Sequence, residues 1–325
     1  MKRIGFLFDE ICSYDNLLKA YCQASKGKHC KPEVVEFSKR FDENISLLKS
    51  GLESGRVTIG NYHYFEIYDP KQRKICAASF PERIMHHAII NVCQPIFEKT
   101  LISNTFATRK GKGIYQAIDK AMSLMRHNDY VAKLDYHKYY DSIDHVVLKM
   151  KLRRLFKDSR LLNLLDAIID SYQVADHKGL PIGNLTSQYF ANIYLSVIDH
   201  ASTEQFNAGG YVRYMDDMLV FNTSRIALLE AVRRIKIMSE SQHLKLKSPI
   251  IVKTGNGVNF LGYKIYPHHF VMSGRSKRRF RKKLRQYGEK FISGLWTEKE
   301  LSNHITPLTA FATHGSNYKF RMSSL

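Results

Sequence analysis

GGYVRYMDDMLVFNTS (Gly209–Ser224) holds two adjacent aspartates at the centre of an apolar run. Tyr211, Val212 and Tyr214 before them, and Leu219, Val220 and Phe221 after, are the β-branched and aromatic residues of two short strands. The spacing predicts a hairpin whose Met-Asp-Asp turn carries Asp216 and Asp217 at its tip. Two like charges on a rigid tip repel each other unless something cationic sits there. A solvated turn is the plain alternative, since aspartate is a common turn residue. The rest of the chain decides between the two.

The chain has 325 residues, room for a substantial core and two or three subdomains. With 44% hydrophobic and 25% charged residues it has the composition of a folded globular protein. Its net charge of +20 is far from ordinary. So large a surplus opposes compaction unless a polyanion neutralises it, which points to nucleic acid first and an anionic membrane surface second. No apolar run is long enough to span a bilayer, and Met1-Lys2-Arg3 is not followed by a signal-peptide core. The expectation is a cytoplasmic chain with no membrane partner. The five cysteines (Cys12, Cys22, Cys30, Cys76, Cys93) are odd in number and lack any CxxC spacing. Neither a disulfide framework nor a zinc ribbon is indicated.

Up to about residue 60 the pattern is mainly helical, with Pro32 in a helix's first turn and Gly51 ending a helix marked by Phe37, Phe41, Ile45 and Leu48. YHYFEIYDPKQRKICAASF reads as two strands joined at Asp69-Pro70, with Lys71, Arg73 and Lys74 at the bend. ERIMHHAIINVCQPIFEKTL reads as a helix interrupted at Pro95, and SNTFATRKGKG as a basic loop leading into another helix. Tyr130 to Leu134 form a strand ending at Asp135, followed by a helix from about Ile143. GLPIGN is a loop opening into a long helix, Ile226 to Ser241 a further helix, and VNFLGYKIYP a strand pair. In RSKRRFRKKLRQYGEKF (Arg275–Phe291), Phe280, Leu284, Tyr287 and Phe291 recur at helical spacing and leave a cationic outer face suited to tracking phosphates.

A strand-end Asp135 and a hairpin carrying Asp216 and Asp217 are parts suited to a two-metal site. Two Mg²⁺ ions about 3.5–4 Å apart activate an attacking hydroxyl and stabilise the leaving oxygen in phosphoryl transfer. Mg²⁺ takes hard oxygen ligands and keeps several waters, so a few carboxylates suffice.

With these residues in view, the chain resembles the reverse transcriptases. YMDD (Tyr214–Asp217) is similar to their catalytic hairpin, and KLDYHKYYDSIDH (Lys133–His145) to the preceding catalytic motif. DPKQRKICAASFPERIMHHAI and SNTFATRKGKGIYQAI resemble the two fingers blocks, GLPIGNLTSQYFANIYL the template-nucleotide block, and NFLGYKI the primer grip. The order of blocks is the family's, over roughly Tyr62 to Pro267.

The resemblance implies an α/β (α+β) right-hand polymerase with fingers, an antiparallel palm sheet with helices, and a short helical thumb. Fingers would occupy 1–130 with a helical N-terminal extension to about residue 60. The palm would occupy 131–267, including a nucleotide-binding loop and helix at 179–199, and the basic thumb 268–325. It implies RNA-directed DNA synthesis from deoxynucleoside triphosphates, with two Mg²⁺ (Mn²⁺ able to substitute) on Asp135, Asp216, Asp217 and the backbone carbonyl of Tyr136. Arg73 and Lys74 would clamp the triphosphate, while Tyr140 would lie beneath the sugar. Ile182, Gly183 and Gln188 would line the nucleotide, and Phe260, Leu261, Gly262 and Tyr263 would form the primer grip. Arg275, Lys277, Arg278, Arg279, Arg281, Lys282, Lys283 and Arg285 would hold the template RNA and the RNA/cDNA duplex.

Within the family, most bacterial members carry Gln before the Gly of LPIGNLTSQ and a Ser-Pro later in the block. Here Ile182 and Gln188 take those positions, a pairing similar to the reverse transcriptases of diversity-generating retroelements. That narrower resemblance implies cDNA copied from a template-repeat RNA with errors opposite adenine, and a basic accessory variability protein as an oligomeric partner. A group II intron-like or defence-associated enzyme of conventional fidelity, an RNA-dependent RNA polymerase (against which Tyr140 as a sugar gate speaks) and a non-catalytic RNA-binding protein are the alternatives. Intact Asp135, Asp216 and Asp217 speak against the last. The family's lysine that protonates pyrophosphate is open between Lys245, Lys247 and Lys253.

Overall fold

The computed structural model describes residues 2–68, 72–206 and 208–324. The expected bend at Asp69, Pro70 and Lys71 lies outside the described residues. The chain opens with helices α1 (Phe8–Ile11), α2 (Tyr14–Ser25), α3 (Pro32–Lys39) and α4 (Phe41–Glu53), then strands β1 (Tyr62–Ile67) and β2 (Arg73–Ala78). Next come α5 (Phe80–Thr100), α6 (Ile114–Met125), β3 (Tyr130–Leu134), α7 (Tyr139–Ser142), α8 (His145–Leu155), α9 (Ser159–Asp170) and α10 (Leu185–Glu204). The hairpin of β4 (Gly210–Tyr214) and β5 (Asp217–Asn222) precedes α11 (Arg225–Ser241) and β6 (Ile250–Lys253). Last are β7 (Val258–Phe260), β8 (Tyr263–Ile265), β9 (Phe270–Met272), α12 (Gly274–Ile292), α13 (Glu298–Thr313) and α14 (Tyr318–Met322). Antiparallel sheets combined with helices give the α+β class expected from the sequence.

The chain divides into two compact units. The first comprises Met1–Ser103, Tyr136–Ala201 and Lys236–Leu246. Its centre is α5, buried along most of its length through residues such as Ile84, Met85, Ile89, Cys93 and Phe97. The expected interruption at Pro95 does not occur, and α5 runs unbroken from Phe80 to Thr100. An interior proline costs about 3 kcal/mol, and packing on both sides of it, with Cys93, Ile96 and Phe97 buried, outweighs that cost. Asn16 of α2 fastens to this helix, its side-chain amide donating to the Ala88 carbonyl at 3.0 Å. The helix expected from Ile143 starts later. Asp144 caps α8 by accepting from the Val147 amide, and the short α7 occupies the residues before it.

The second unit comprises Asn104–Asp135, Ser202–Ile235 and Lys247–Leu325. Its four-stranded antiparallel sheet has the order β4-β5-β3-β6, so the central strands are the two richest in buried aliphatic and aromatic residues. Ile118 and Ala121 of α6 join Val131, Leu219 and Phe221 in its core. β6 is an addition to the sequence reading: it is short, partly exposed and at an edge, so no alternation announces it. The strand pair at 258–265 gains a third strand, β9. The two residues linking β7 to β8, Leu261 (φ 50°) and Gly262 (φ 87°), are both left-handed, the pattern of a type I′ hairpin turn.

In α12, Phe280 is buried and Leu284 packs on the core, as the helical spacing requires. Phe291 departs from the expected stripe and is exposed, because the tertiary packing of this face ends one turn earlier with Tyr287 against Trp296 and His304. Not every basic residue points outward. Lys277 and Arg281 lie over the Phe320 ring at 5.3 and 5.1 Å. Arg279 and Lys283 border a cavity of about 310 Å³ floored by Met272, Phe280, Leu308 and Phe311. Arg275, Arg278, Lys282 and Arg285 are exposed.

Candidate active site

β3 and β5 pair antiparallel, with Leu134 opposite Met218 as the last pair. One step further, Asp135 and Asp217 face each other across the strand ends, and cross-strand partners share a face of the sheet. The hairpin closes through the Tyr214–Asp217 pair, leaving Met215 and Asp216 as its two-residue turn. Met215 is left-handed at φ 53°, a conformation that L-residues resist. A group not anticipated from the sequence braces it. Arg213 is fully buried, and its Nη1 donates to the Met215 carbonyl at 2.9 Å. The signal was present, since an arginine inside an apolar strand must be buried with a partner or break the pattern.

Each carboxylate of the pair already holds a cation. Lys133 Nζ stands 3.0 Å from Asp217 Oδ1, and Lys247 Nζ donates to Asp135 Oδ2 at 2.5 Å. The Lys247 amide also donates to the Asp135 carbonyl at 2.8 Å, so backbone register delivers this lysine to this aspartate. Among the three lysines left open, Lys253 instead pairs with Tyr130 at the opposite end of β3, and the Lys245 carbonyl accepts from the His137 amide. Burial pushes the Asp217 carboxyl above its ordinary range; Lys133 opposes that shift, Asp135 adds to it, and Lys247 opposes it.

Two partly buried carboxylates opposite each other supply the hard oxygen donors that Mg²⁺ prefers, and both attract cations in this structure. The donor set fits Mg²⁺. Among the described residues no group of three or more His, Cys, Asp or Glu side chains is arranged to hold a metal ion. The β3–β5 register brings Asp135 and Asp217 together, with Asp216 in the adjoining turn and not clustered with them as a third ligand.

Tyr136 and the expected nucleotide-binding residues fall in the first unit. Tyr136 is buried and stacked on Tyr139, its hydroxyl 3.0 Å from that of Ser239. Tyr140 is half-buried, and its carbonyl accepts from the Leu180 amide at 2.9 Å. Two residues on, the Ile182 carbonyl accepts from the Cys76 amide of β2 at 2.8 Å. Gly183 then passes so close that an added Cβ would lie 2.4 Å from the Cys76 oxygen, and its φ of 136° also excludes larger residues. These bonds gather Tyr140, Ile182, Gly183 and the strand bearing Arg73 and Lys74 into one neighbourhood. Arg73 and Lys74 are exposed, with Lys74 Nζ 4.1 Å from the Tyr64 ring centroid. Gln188 is half-buried in the first turn of α10. In the second unit, Phe260 and Tyr263 are buried, and the Gly262 carbonyl between them accepts from Ser276 Oγ of α12 at 2.7 Å.

Residues 69–265 match the family model described as reverse transcriptase (RNA-dependent DNA polymerase). The chain belongs to the reverse transcriptase family. As such it is an RNA-directed DNA polymerase. The reverse transcriptase is 22% identical to Protein YkfC of Escherichia coli (strain K12), covering 88% of this chain and 85% of that protein. It is 21% identical to the group II intron-encoded protein LtrA of Lactococcus lactis subsp. cremoris, covering 91% of this chain but only 52% of LtrA. It therefore spans about half the length of that relative. Apo telomerase from Candida tropicalis shares its fold, with a TM-score of 0.50 and 13% identity over 70% of this chain and 52% of that one.

Proposed function

We propose that this reverse transcriptase copies a template-repeat RNA of a diversity-generating retroelement into adenine-mutagenised cDNA. The catalytic part of the reading is carried by the Asp135–Asp217 pair with its two lysines. Asp135, Asp216, Asp217 and the Tyr136 carbonyl are proposed to hold two divalent ions, which when bound supply charge stabilisation for the attacking and leaving oxygens. Lys247, already hydrogen-bonded to Asp135, is the proposed proton donor to pyrophosphate. Arg73 and Lys74 would bind triphosphate by charge, Tyr140 would exclude a 2′-hydroxyl by volume, and Gln188 would touch the nucleotide. Residues 1–130, 131–267 and 268–325 are the proposed fingers, palm and thumb. The proposed setting is cytoplasmic, and among the described residues no helix is long and apolar enough to cross a membrane.

The mutagenic part rests on Ile182. Its side chain has no donor or acceptor, so it packs against a base pair without testing its geometry. The hydrogen bond from β2 to the Ile182 carbonyl and the close fit at Gly183 hold this residue in place, which supports a defined role for it. Template RNA, an RNA/cDNA duplex and an accessory variability oligomer are the proposed partners. The similarity to LtrA favours a second reading, a group II intron-like enzyme of conventional fidelity. Sequencing cDNA made by the purified protein on a defined RNA separates them. Errors concentrated opposite adenine support the first, a low and even spectrum supports the second, and absence of cDNA contradicts both.

A further inference from the structure

Lys133 stands two residues before Asp135 on β3, and strand alternation puts the two side chains on one face of the sheet. Its ammonium meets Asp217 at 3.0 Å, where the lysine side chain is 21% exposed and the carboxylate 29%. With Lys247 on Asp135, each of these two carboxylates has a lysine partner. This pairing offsets the repulsion between the two aspartates, since an unpaired charge so poorly hydrated is costly.

The same arrangement has a consequence for metal. A divalent cation approaching Asp217 meets an oxygen already engaged by a charge-assisted hydrogen bond. Lysine can vacate the place without disturbing the sheet, because its charge sits on a flexible four-carbon stem. We propose that Lys133 is a resident counter-ion that must leave Asp217 before this carboxylate takes a divalent ion, and that it thereby sets the metal affinity of the site. This positioning role rests on the reading of Asp135 and Asp217 as metal ligands. No covalent step is involved.

The test uses the full chain, with thermal melts in EDTA and in saturating Mn²⁺ and a calorimetric Mn²⁺ titration. Lys133→Gln is expected to melt below wild type in EDTA, because Asp217 loses its partner, and to regain the wild-type value in Mn²⁺. Its Mn²⁺ affinity should rise roughly tenfold, the equivalent of one charge-assisted hydrogen bond no longer displaced. Lys253→Gln, an exposed charge at the other end of β3, controls for the mere loss of a positive charge and should change neither quantity. A melting deficit that is the same with and without Mn²⁺, or an affinity gain no larger than that of Lys253→Gln, overturns the proposal. Wild type that binds no Mn²⁺ contradicts the metal-ligand reading instead. Should Lys133→Gln not fold, Lys133→Arg serves: a guanidinium fork that grips the carboxylate more firmly should weaken Mn²⁺ binding, and unchanged or tighter binding overturns the proposal.

Discussion

The end of the β3–β5 sheet and the α12 helix are both dense in charge, and they treat it in opposite ways. At the sheet end Asp135 and Asp217 are balanced one for one by Lys247 and Lys133. Along α12, nine lysines and arginines share a single acidic residue, Glu289, which Arg285 approaches at 3.6 Å. The difference follows from exposure. Partly buried charges in a low-dielectric setting must be paired within the protein, whereas exposed ones are hydrated and screened and can wait for an external partner. Internal balance suits the proposed exchange of cations at the sheet end, and external imbalance suits the proposed holding of a polyanion along α12.

The largest effect should come from breaking the balanced region. Asp135→Asn keeps the shape but removes a charge, leaves Lys247 without its partner, and should lower nucleotide incorporation by about a thousandfold or more. Steady-state extension of a primed RNA, alongside a melting curve close to wild type, checks it. Near-normal incorporation by this variant would remove the sheet end from the chemistry.

Altering the unbalanced region should act on binding alone. Converting Arg275, Arg278, Lys282 and Arg285 together to glutamine should flatten the salt dependence of duplex binding. The slope of log affinity against log salt should fall by about 0.9 for each phosphate that is no longer neutralised, thus by about 3.6 if each of the four side chains holds one. Turnover at saturating duplex should stay within about twofold of wild type, and a salt titration paired with single-turnover kinetics reads both quantities.

Two smaller effects concern uncharged residues of the first unit and sharpen the contrast by separating selection from both chemistry and binding. Tyr140→Ala should raise ribonucleotide incorporation by roughly tenfold or more, the scale on which side-chain packing discriminates between similar substrates. Competition between ribo- and deoxynucleotides in one extension assay gives the ratio. Ile182→Gln restores a group able to hydrogen-bond, worth about 1–1.5 kcal/mol, and should cut errors opposite template adenine about tenfold while retaining activity. The error spectrum of cDNA from the two proteins on one template is the readout, and identical spectra would leave Ile182 without this role.

Much of the sheet was legible in the sequence because its centre is simple. β3, β4 and β5 are short runs of Val, Leu, Phe and Tyr with aspartates at their ends, and period and composition agree. β6 and β9 were not legible, since three- or four-residue edge strands carry too little alternation to register. The unbroken α5 reversed a local rule, as burial around Pro95 overrode the proline's preference. The lysines at the carboxylates were the least accessible from sequence. Lys245, Lys247 and Lys253 are equivalent as letters, and only the backbone bond from Lys247 to the Asp135 carbonyl selects one of them. Lys133 was read as part of a motif, yet its partner lies on another strand and emerges only with the β3–β5 register.

The contrast between balanced and unbalanced charge is tested most directly by measuring Mn²⁺ binding and RNA/DNA duplex binding on the same preparations of wild type, Asp135→Asn and the four-residue α12 variant. Weakened Mn²⁺ binding with intact duplex binding is expected for Asp135→Asn, and the reverse for the α12 variant. Wild-type Mn²⁺ affinity in Asp135→Asn would contradict the assignment of the sheet end as the catalytic centre.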